Sequence, residues 1–350
     1  MAAVLSRARN TDQRPTIATF AWDRLMYDPL PGPRTAADFD GLRRLTPLNL
    51  VIEPTTTPRP PAGSTLPRLA GEIDATLVLL DPTGGALGLR LQLAELVEHG
   101  SHDQVDVVDV GGDILAEGHE PKLSSPLADA LALAATTRQG VTVQVNVAGP
   151  GLDGELDQPT MRERLRATNA VLVHRLSEQD AQLVASTLAW HPSEATTMTL
   201  AAACGVRGTV EIRTDGTVIE LTDASANVFR VTLADVVRAS GSAQAVMDST
   251  SFELAEAQLR AAIGFTELDF ERSKAAARAH HVAADQVNPA LAAKRIHAYS
   301  ADAKTRAVDY LTFRRLAEVA ELTAAQADAM RRTLFADDSD RCRFGLWATT

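Results

Sequence analysis

The sequence predicts an α/β protein with a Rossmann-like parallel sheet that is covered by helices on both faces. Short runs rich in β-branched residues alternate with helical patterns, as in sheets whose parallel strands are joined by crossover helices. The runs LVLL, VDVVDV and VTVQVNV are rich in β-branched residues and nearly continuous, as expected for strands covered on both faces. The chain is 45% hydrophobic but only 4% aromatic, which indicates a core filled mainly by Ala, Leu and Val.

The elements of the first half follow in order. Strands are predicted at residues 16–20, 48–52, 75–80, 104–110 and 141–147, and helices at residues 86–98, 126–137 and 159–176. Ser125 gives the second helix an N-cap oxygen, and Pro126 follows it with φ already close to the helical value. The proline-rich stretch 55–68 is predicted as a surface loop, because proline cannot donate the hydrogen bonds of a ladder.

Beyond Leu176 the pattern changes. Helices are predicted near residues 179–188 and 193–204, followed by short antiparallel strands at 208–213, 217–222 and 228–232, with Asp215 and Gly216 forming a tight turn. From residue 251 onward the sequence reads as helical, and this long helical tail suggests a homodimer. We therefore predict a Rossmann-like ligand-binding core (1–178), an α+β completion of the same domain (179–284) and a helical C-terminal extension (285–350).

Composition narrows the classes of function. The chain has 45 acidic and 34 basic residues and a net charge of −11, which argues against broad electrostatic binding of nucleic acid. Cys204 and Cys342 form no CxxC pair, so we expect neither a disulfide scaffold nor a cysteine zinc site. No apolar run approaches the roughly 18–20 residues that cross a bilayer. We expect a cytoplasmic protein with a small-molecule substrate and no membrane partner.

Three turns follow three predicted strands, and each carries residues suited to a ligand. The carboxyl ends of parallel strands meet at one edge of a sheet, so we expect these turns to form one acidic cleft. Their candidate ligand-binding residues are Asp81, Thr83, Gly84, Gly85, Gly111, Gly112, Gly151, Asp153 and Glu155.

The first turn joins two glycines to a helix N-terminus, which suits a phosphate or carboxylate, although a tight turn capped by Thr83 would explain it equally well. In the second, Asp109 ends an apolar strand, where an unpaired carboxylate is costly. Together with Asp113 it could hold Mg²⁺ or the amine or hydroxyl groups of a ligand, the alternative being a capping role. Asp106 is predicted to be structural. For the third turn, a solvated loop is the alternative.

Two histidines are candidate acid–base groups because imidazole titrates near neutrality. His119 follows the second turn, in a loop where exposure is the simpler explanation. His191 lies in the sequence WHPSE, in which Ser193 equally serves to cap a helix. Glu120 and Ser125 complete the predicted site, and the pair His280-His281 is predicted to lie at the surface.

Several segments together resemble the DUF1152 family of archaeal and bacterial proteins, which is named for lacking an assigned function. They are residues 22–34, LLDPTGGALGL (79–89), residues 108–130, GPGLDGEL (149–156) and FTELDFERSKA (265–275). The resemblance runs from about residue 16 to 280, and Trp22 and Arg34 in its first segment join the predicted ligand-binding residues. Members usually begin with a strand and a glycine-rich loop. The sequence MAAVLSRARN resembles the remainder of the helix after that loop, so we expect either that Met1 lies downstream of the true start or that this member lacks a phosphate-cradling turn.

The resemblance implies an association with a seryl-tRNA-dependent transferase of azoxy-antibiotic (valanimycin-type) biosynthesis. An aminoacyl ester is already activated, so such an enzyme need only orient a nucleophile and manage one proton. In that case Asp109 and Asp113 would hold the amino group, with His119 or His191 as the base. An aminoacyl-tRNA partner would need a local basic surface, and the candidates are Arg162, Arg164, Arg166, Arg314 and Arg315.

The leading hypothesis is therefore a group-transfer enzyme that acts on a small metabolite, with aminoacyl-tRNA as one donor. Two alternatives stay open. The first is a Mg²⁺-dependent lyase or hydrolase of a small phosphorylated or amino-acid-like metabolite, using Asp109, Asp113, Asp153 and Glu155. The second is a non-enzymatic ligand-binding regulator, since residues 305–334 loosely resemble a helix-turn-helix. The sequence leaves the cofactor undecided between Mg²⁺ and none.

Overall fold

A computed structural model describes residues 1–8, 14–213, 215–279 and 289–349, which form a mixed α/β protein. The strands in these ranges are β1 (Thr16–Thr19), β2 (Phe39–Asp40), β3 (Arg43–Arg44), β4 (Leu50–Ile52), β5 (Thr57–Pro58), β6 (Thr76–Leu79), β7 (Gln104–Val110), β8 (Thr142–Ala148), β9 (Val171–Arg175), β10 (Gly208–Ile212), β11 (Thr217–Leu221), β12 (Asn227–Thr232), β13 (Tyr310–Thr312), β14 (Cys342–Arg343) and β15 (Leu346–Ala348).

The α-helices in the same ranges lie between and after these strands. They are α1 (Ala2–Ala8), α2 (Leu66–Glu72), α3 (Gly85–Gly100), α4 (Pro126–Thr136), α5 (Gln158–Ala167), α6 (Glu178–Gln182), α7 (Ala185–Leu188), α8 (Glu194–Ala203), α9 (Leu233–Ala239), α10 (Gly241–Val246), α11 (Phe252–Ile263), α12 (Glu267–Ala279), α13 (Pro289–Thr305), α14 (Phe313–Val319) and α15 (Ala324–Asp337). No helix in the described ranges is both long enough and apolar enough to span a bilayer.

The first sheet has the strand order β1-β6-β4-β3 and carries one parallel pair. β1 runs parallel to β6, as predicted, whereas β4 runs antiparallel to β6 and to β3. The prediction that residues 48–52 form a parallel strand is therefore wrong in direction. Strand direction depends on the route of the connecting chain, and the strand's own composition does not encode it.

The second sheet has the order β7-β8-β12-β9 and positions the candidate site. β7 and β8 are parallel, with Asp109 opposite Val147, and β12 lies antiparallel between β8 and β9. The helix predicted over 159–176 ends at Ala167, because Asn169 adopts a positive φ of 52° and the chain continues as β9. The predicted single parallel sheet is thus observed as parallel pairs within mixed sheets.

The third sheet has the order β11-β10-β13-β15-β14 and includes strands from the C-terminal tail. The predicted hairpin of β10 and β11 is present, whereas residues 227–232 join the second sheet instead of this one. β13 runs parallel to β10, and β15 runs antiparallel to β13. The segment predicted as wholly helical therefore contributes three strands. The predicted joint near residue 285 and His280-His281 lie outside the described residues.

Helix α4 is anchored by its apolar face, and this fixes where its N-terminus lies. Leu127 and Leu131 are fully buried against Leu89 and Leu93 of α3. Burying one leucine side chain stabilises the fold by about 2 kcal/mol, so this packing holds the helix firmly. The start of α4 contacts β7 and the 3₁₀ turn that follows β7, which places the helix N-terminus at the carboxyl end of that strand.

Candidate functional site

The candidate site begins where β7 ends. Asp109 is the penultimate residue of β7, and Gly111 and Gly112 lead into a 3₁₀ turn at Asp113–Leu115 with φ angles of 127° and 103°. A Cβ atom on Gly111 would lie 2.1 Å from Oδ2 of Asp153, which no real side chain tolerates. Glycine is required here both for its backbone angle and because a carboxylate packs directly against the turn.

The turns after β7 and β8 are joined to each other. The Gly151 N–H donates to the carbonyl of Gly111 at 2.5 Å, and the Asp113 N–H donates to Asp153 Oδ2 at 3.3 Å. Asp153 also accepts from the Glu155 N–H at 2.7 Å. The structure therefore brings the second and third predicted turns into one site, as expected from two adjacent parallel strands.

Helix α4 adds a further aspartate from one turn inside its N-terminus. Carboxylate oxygens of Asp109, Asp113 and Asp129 all lie within 4.8 Å of one another. Ser125, just before the helix, places its hydroxyl 3.2 Å from Asp113 and 2.6 Å from Glu155. We refer to Asp109, Asp113 and Asp129 as the aspartate cluster.

Two glutamates cap the same helix end. Glu155 accepts the N–H groups of Ser124 and Ser125 at 2.7 and 3.1 Å. Glu267 accepts those of Leu127 and Ala128 at 2.7 and 2.9 Å. Carboxylates are favourable here because the N-terminus of a helix carries partial positive charge. Their role is explained by the backbone donors that they satisfy.

Burial and like charge disfavour ionisation throughout the aspartate cluster. Burial, and next the charge of Asp153, raises the pKa of Asp109 to about 8. Burial and the neighbouring carboxylates raise the pKa values of Asp113 and Asp129 well above the usual aspartate range. Burial, followed by the charge of Glu155, raises the pKa of Asp153 to about 6. No cation is among the main influences on Asp109, Asp113 and Asp129, whereas the charge of Arg213 acts on Asp153.

Glu155 differs because it has a cationic partner. Arg213 lies 2.8 Å from it. Burial opposes ionisation of Glu155, but Arg213 and the Ser124 and Ser125 donors outweigh that effect and hold its pKa below the usual value. Glu267 has no such cation among the described residues, and burial raises its pKa to about 7 despite two backbone donors. Among the described residues, an arginine therefore forms an ion pair with this site only at Glu155.

Two carboxylates of the aspartate cluster have oxygens that receive no hydrogen bond from the described residues. Oδ2 of Asp109 is buried without a hydrogen-bond partner, and the Asp109 residue as a whole is 9% exposed. Asp129 receives no side-chain hydrogen bond from the described residues, and the four charges that perturb it most are all carboxylates. Asp129 is half-buried, and a buried carboxylate oxygen such as Oδ2 of Asp109 is stable only when its group is paired, protonated or bound to a cation.

The first predicted turn lies elsewhere and its donors are already used. It follows β6, in a different sheet, and Asp81 accepts from the N–H groups of Thr83 and Ala36. The Gly85 N–H donates to Pro82, and the first α3 donors, at Ala86 and Leu87, reach the side chain and carbonyl of Ser249. The turn with Gly84 and Gly85 thus builds the α3 start and does not present these N–H groups to an anion.

The loop after the second turn is held by ion pairs away from the aspartate cluster. His119 is 73% exposed, and its ring nitrogen lies 3.7 Å from Glu117. Glu120 accepts the N–H groups of Glu117 and Gly118 and pairs with Arg164 at 3.3 Å, which lowers its pKa although burial opposes this. The contacts of His119 and Glu120 are therefore with this loop and with Arg164 of α5, away from the aspartate cluster.

His191 lies in a different region. It lines an apolar cavity of about 140 Å³ together with Met1, Leu77 and Leu188, and its ring packs edge-on against Trp190. Burial, and next the positive charge of the Met1 amino group, lowers the pKa of His191 to about 4. The imidazole is neutral at physiological pH, and none of the three aspartates lines the cavity.

The residues added from the first resembling segment make structural contacts. The Trp22 indole N–H donates to Glu271 at 3.0 Å. Arg34 is buried, pairs with Asp28 at 2.9 Å and donates to the carbonyls of Pro31 and Gly32 at 2.8 and 2.7 Å. Both side chains tie down the loop that precedes β2.

The sequence prediction missed three residues that shape this site: Asp129, Glu267 and Arg213. Asp129 carried a usable signal, since the predicted N-cap at Ser125 places it in the first turn of a helix that follows the predicted cleft. Glu267 and Arg213 are more than 80 residues from Asp129 in sequence, and only the tertiary fold brings them close.

The fold and the site together define a mixed α/β protein with a buried carboxylate site at the carboxyl ends of two parallel strands. The chain belongs to the family described as "Protein of unknown function (DUF1152)", whose sequence profile matches residues 1–275, and the predicted resemblance is confirmed. No curated protein matches the chain, and no solved structure does.

Proposed function

We propose that the protein is a divalent-cation-dependent hydrolase or lyase of a small metabolite, with Asp109, Asp113 and Asp129 as the cation ligands. The observation that carries this proposal is the aspartate cluster itself. Its three carboxylates lie within 4.8 Å of one another, and a buried Asp109 oxygen has no other partner among the described residues. A bound cation would give these oxygens the positive charge that their surroundings lack.

Mg²⁺ is the cation that this donor set favours. All three ligands are carboxylate oxygens, which suit hard cations such as Mg²⁺, Ca²⁺ and Mn²⁺, whereas softer metals prefer nitrogen or sulfur. A bound Mg²⁺ polarises a phosphoryl or carbonyl oxygen and activates water. The protein contributes the rigid frame, because Gly111 and the start of α4 fix where the aspartates lie.

Group transfer from an aminoacyl donor stays a prediction that these contacts do not favour. Neither His119 nor His191 contacts the aspartate cluster within the described residues. Of the arginines proposed for a tRNA surface, Arg164 pairs with Glu117 and Arg314 pairs with Glu194. Their charge is thus partly neutralised within the protein.

Three further predictions are kept as parts of the proposal. The Rossmann-like arrangement rests on the parallel pair β7–β8, whose carboxyl ends carry the site. A cytoplasmic location and a homodimer rest on the sequence. The exposed apolar residues Val171 and Leu172 on the edge strand β9 mark where a mutational test of self-association would begin.

Calorimetric titration of Mg²⁺ into EDTA-treated protein tests the proposal. We expect saturable binding with one ion per chain and loss of most of the affinity in Asp109→Asn, which removes charge with little change of shape. The matched control is Asp103→Asn, because Asp103 is exposed just before the opposite end of β7. Phosphate release from simple phosphomonoesters, with and without Mg²⁺, then separates hydrolysis from other chemistry.

Absence of binding from micromolar to millimolar Mg²⁺, Mn²⁺ and Ca²⁺ would remove the metal proposal. Equal affinity in Asp109→Asn and the parent protein would show that the cation binds elsewhere.

A further inference from the structure

Arg24 is a cation that forms no direct ion pair within the described residues. It lies in the segment after β1, and its side chain is exposed to solvent. Within the described ranges, its guanidinium makes neither an ion pair nor a hydrogen bond. The adjacent Asp23 is not its partner, because that carboxylate accepts from the Thr65 N–H and hydroxyl at 2.9 and 2.6 Å.

The backbone around Arg24 is fixed. The N–H groups of Tyr27 and Asp28 both donate to the Arg24 carbonyl, at 2.8 and 3.0 Å. Asp28 is buried and pairs with Arg34, and the indole of Trp22 is anchored on the other side of Arg24. The position of Arg24 is therefore set by the fold on both sides.

The segment that carries Arg24 lies close to Arg314, and a shared glutamate links Arg314 to Arg213. Met26 and Tyr27 line a small cavity together with Arg314, at the start of α14. Arg314 pairs with Glu194 at 3.0 Å, and the same glutamate accepts the Arg213 N–H at 3.1 Å.

The charges around Arg24 are of both signs. Burial among protein atoms, followed by repulsion from Arg314 and Arg213, lowers the pKa of Arg24, and the attraction of Glu155 and Glu194 opposes this. Its side chain is nevertheless solvent-accessible, and this combination is typical of a residue that lines a cleft.

Glu155 connects Arg213 to the aspartate cluster. Arg213 pairs with Glu155 at 2.8 Å, and Ser125 lies within hydrogen-bond distance of both Glu155 and Asp113. Glu155 is therefore connected to both sets of groups, because its charge acts on Arg24 and Ser125 links it to the aspartate cluster. A site with Arg24 at one end and a cation held by the aspartate cluster at the other suits a ligand with two different ends. The anionic group of the ligand would lie at Arg24, and its reacting group would lie at the cation.

We infer that Arg24 binds the anionic group, a phosphate or a carboxylate, of the metabolite on which the cation-dependent enzyme acts. This inference rests on the proposed function and adds the substrate class to it. A guanidinium matches two oxygens of either anion with parallel hydrogen bonds. Arg213 and Arg314 are already engaged by Glu155 and Glu194, whereas Arg24 is available.

Calorimetric titration of inorganic phosphate and of malonate tests the inference, with EDTA and with saturating Mg²⁺. The variants are Arg24→Gln, which removes the charge, and Arg24→Lys, which keeps the charge but loses the paired donors. The control is Arg332→Gln, because Arg332 is an exposed arginine of α15 whose side chain forms neither a hydrogen bond nor an ion pair with the described residues. Unchanged thermal midpoints verify that each variant is folded.

We expect Arg24→Gln to weaken anion binding at least tenfold, Arg24→Lys to fall between it and the parent, and Arg332→Gln to match the parent. Whichever of phosphate and malonate binds more tightly identifies the substrate class. The inference is overturned if the parent binds neither anion, or if Arg24→Gln binds both as the parent does.

Mg²⁺ titration of Arg24→Gln separates the two proposals: unchanged Mg²⁺ affinity with lost anion binding supports both. Anion binding that depends on Arg24 in a protein that binds no Mg²⁺ supports the inference and removes the metal proposal.

Discussion

Replacing Asp129 with asparagine should make the metal-free protein more stable and its Mg²⁺ binding weaker. Asp129 lies in the first turn of α4, and its charge meets Asp109, Glu267 and Glu155 without a balancing cation among the described residues. Asparagine keeps the shape of the side chain and removes the charge. Because no described residue donates a hydrogen bond to the Asp129 side chain, the substitution breaks no existing hydrogen bond, and the new amide N–H groups lie near carboxylate oxygens that can accept from them.

The magnitude follows from the distances in the aspartate cluster. At an effective dielectric constant of about 20, two carboxylate charges 4.8 Å apart repel by about 3.5 kcal/mol. The raised pKa values mean that protonation relieves much of this repulsion at neutral pH. We therefore expect Asp129→Asn to raise the free energy of unfolding by about 1–2 kcal/mol, or the thermal midpoint by about 2–4 °C. Losing one anionic ligand should weaken Mg²⁺ binding about 10–100-fold.

The assay compares thermal unfolding in EDTA with calorimetric Mg²⁺ titration for the parent, Asp129→Asn and the surface control Asp103→Asn. The control should change neither quantity. A metal-free Asp129→Asn protein that is less stable than the parent would refute the electrostatic argument, since it would mean that the Asp129 charge is already compensated. Unchanged Mg²⁺ affinity would refute its role as a ligand.

Three other predictions follow from the same geometry. Gly111→Ala should destabilise the protein by about 1–3 kcal/mol in chemical denaturation, because its φ is 127° and its Cβ would meet Asp153, whereas Gly84→Ala, with open space around it, should be nearly neutral. In EDTA the thermal midpoint should fall as pH rises from about 5 to 8.5, since the folded-state pKa values of Asp153 (about 6) and Asp109 (about 8) exceed those of the unfolded chain. The stability that these protonated carboxylates contribute at low pH is lost as they ionise. Saturating Mg²⁺ should reverse this trend. A thermal midpoint that rises with pH in EDTA would contradict the assigned burial. His119→Asn should change Mg²⁺ affinity less than about twofold in calorimetry, because the ring is 73% exposed, and a large loss would reassign this histidine to the site.

The sequence predicted the parallel pair at the centre of the site because the signals there are local. VDVVDV and VTVQVNV are strand-forming over their whole length, and the glycines after them mark the turns that bring Asp113 and Asp153 together. The first turn has the same appearance, yet its donors are taken by Ser249, far along the chain. A glycine turn beside a helix therefore marks a tight connection, and its sequence alone does not show whether a ligand or the protein uses it.

Strand partners were harder to predict than strands. Residues 228–232 have the composition of a strand in either case, but β12 fits between β8 and β9 and not beside β11. Strand β9 was missed, although Asn169 and the β-branched run after it are ordinary signals of a helix end and a strand start. The three short strands of the tail depend on β10 for their pairing, so their local sequence, which is mostly helical in pattern, could not reveal them.

The carboxylates around α4 form two groups, those that accept backbone N–H groups of the helix start and those that do not. The second group argues for a bound cation. A helix begins with free N–H groups that carboxylates can cap. Around the start of α4, Glu155 accepts the N–H groups of Ser124 and Ser125, and Glu267 accepts those of Leu127 and Ala128. Pro126, between them, has no N–H group. Capping therefore accounts for two carboxylates and no more. The aspartate cluster is left with a buried, unpartnered oxygen and raised pKa values, in a position that its own glycine turn keeps fixed. In a purely structural role these groups would have to stay protonated to avoid that repulsion, whereas a divalent cation would turn the same three charges into a binding site.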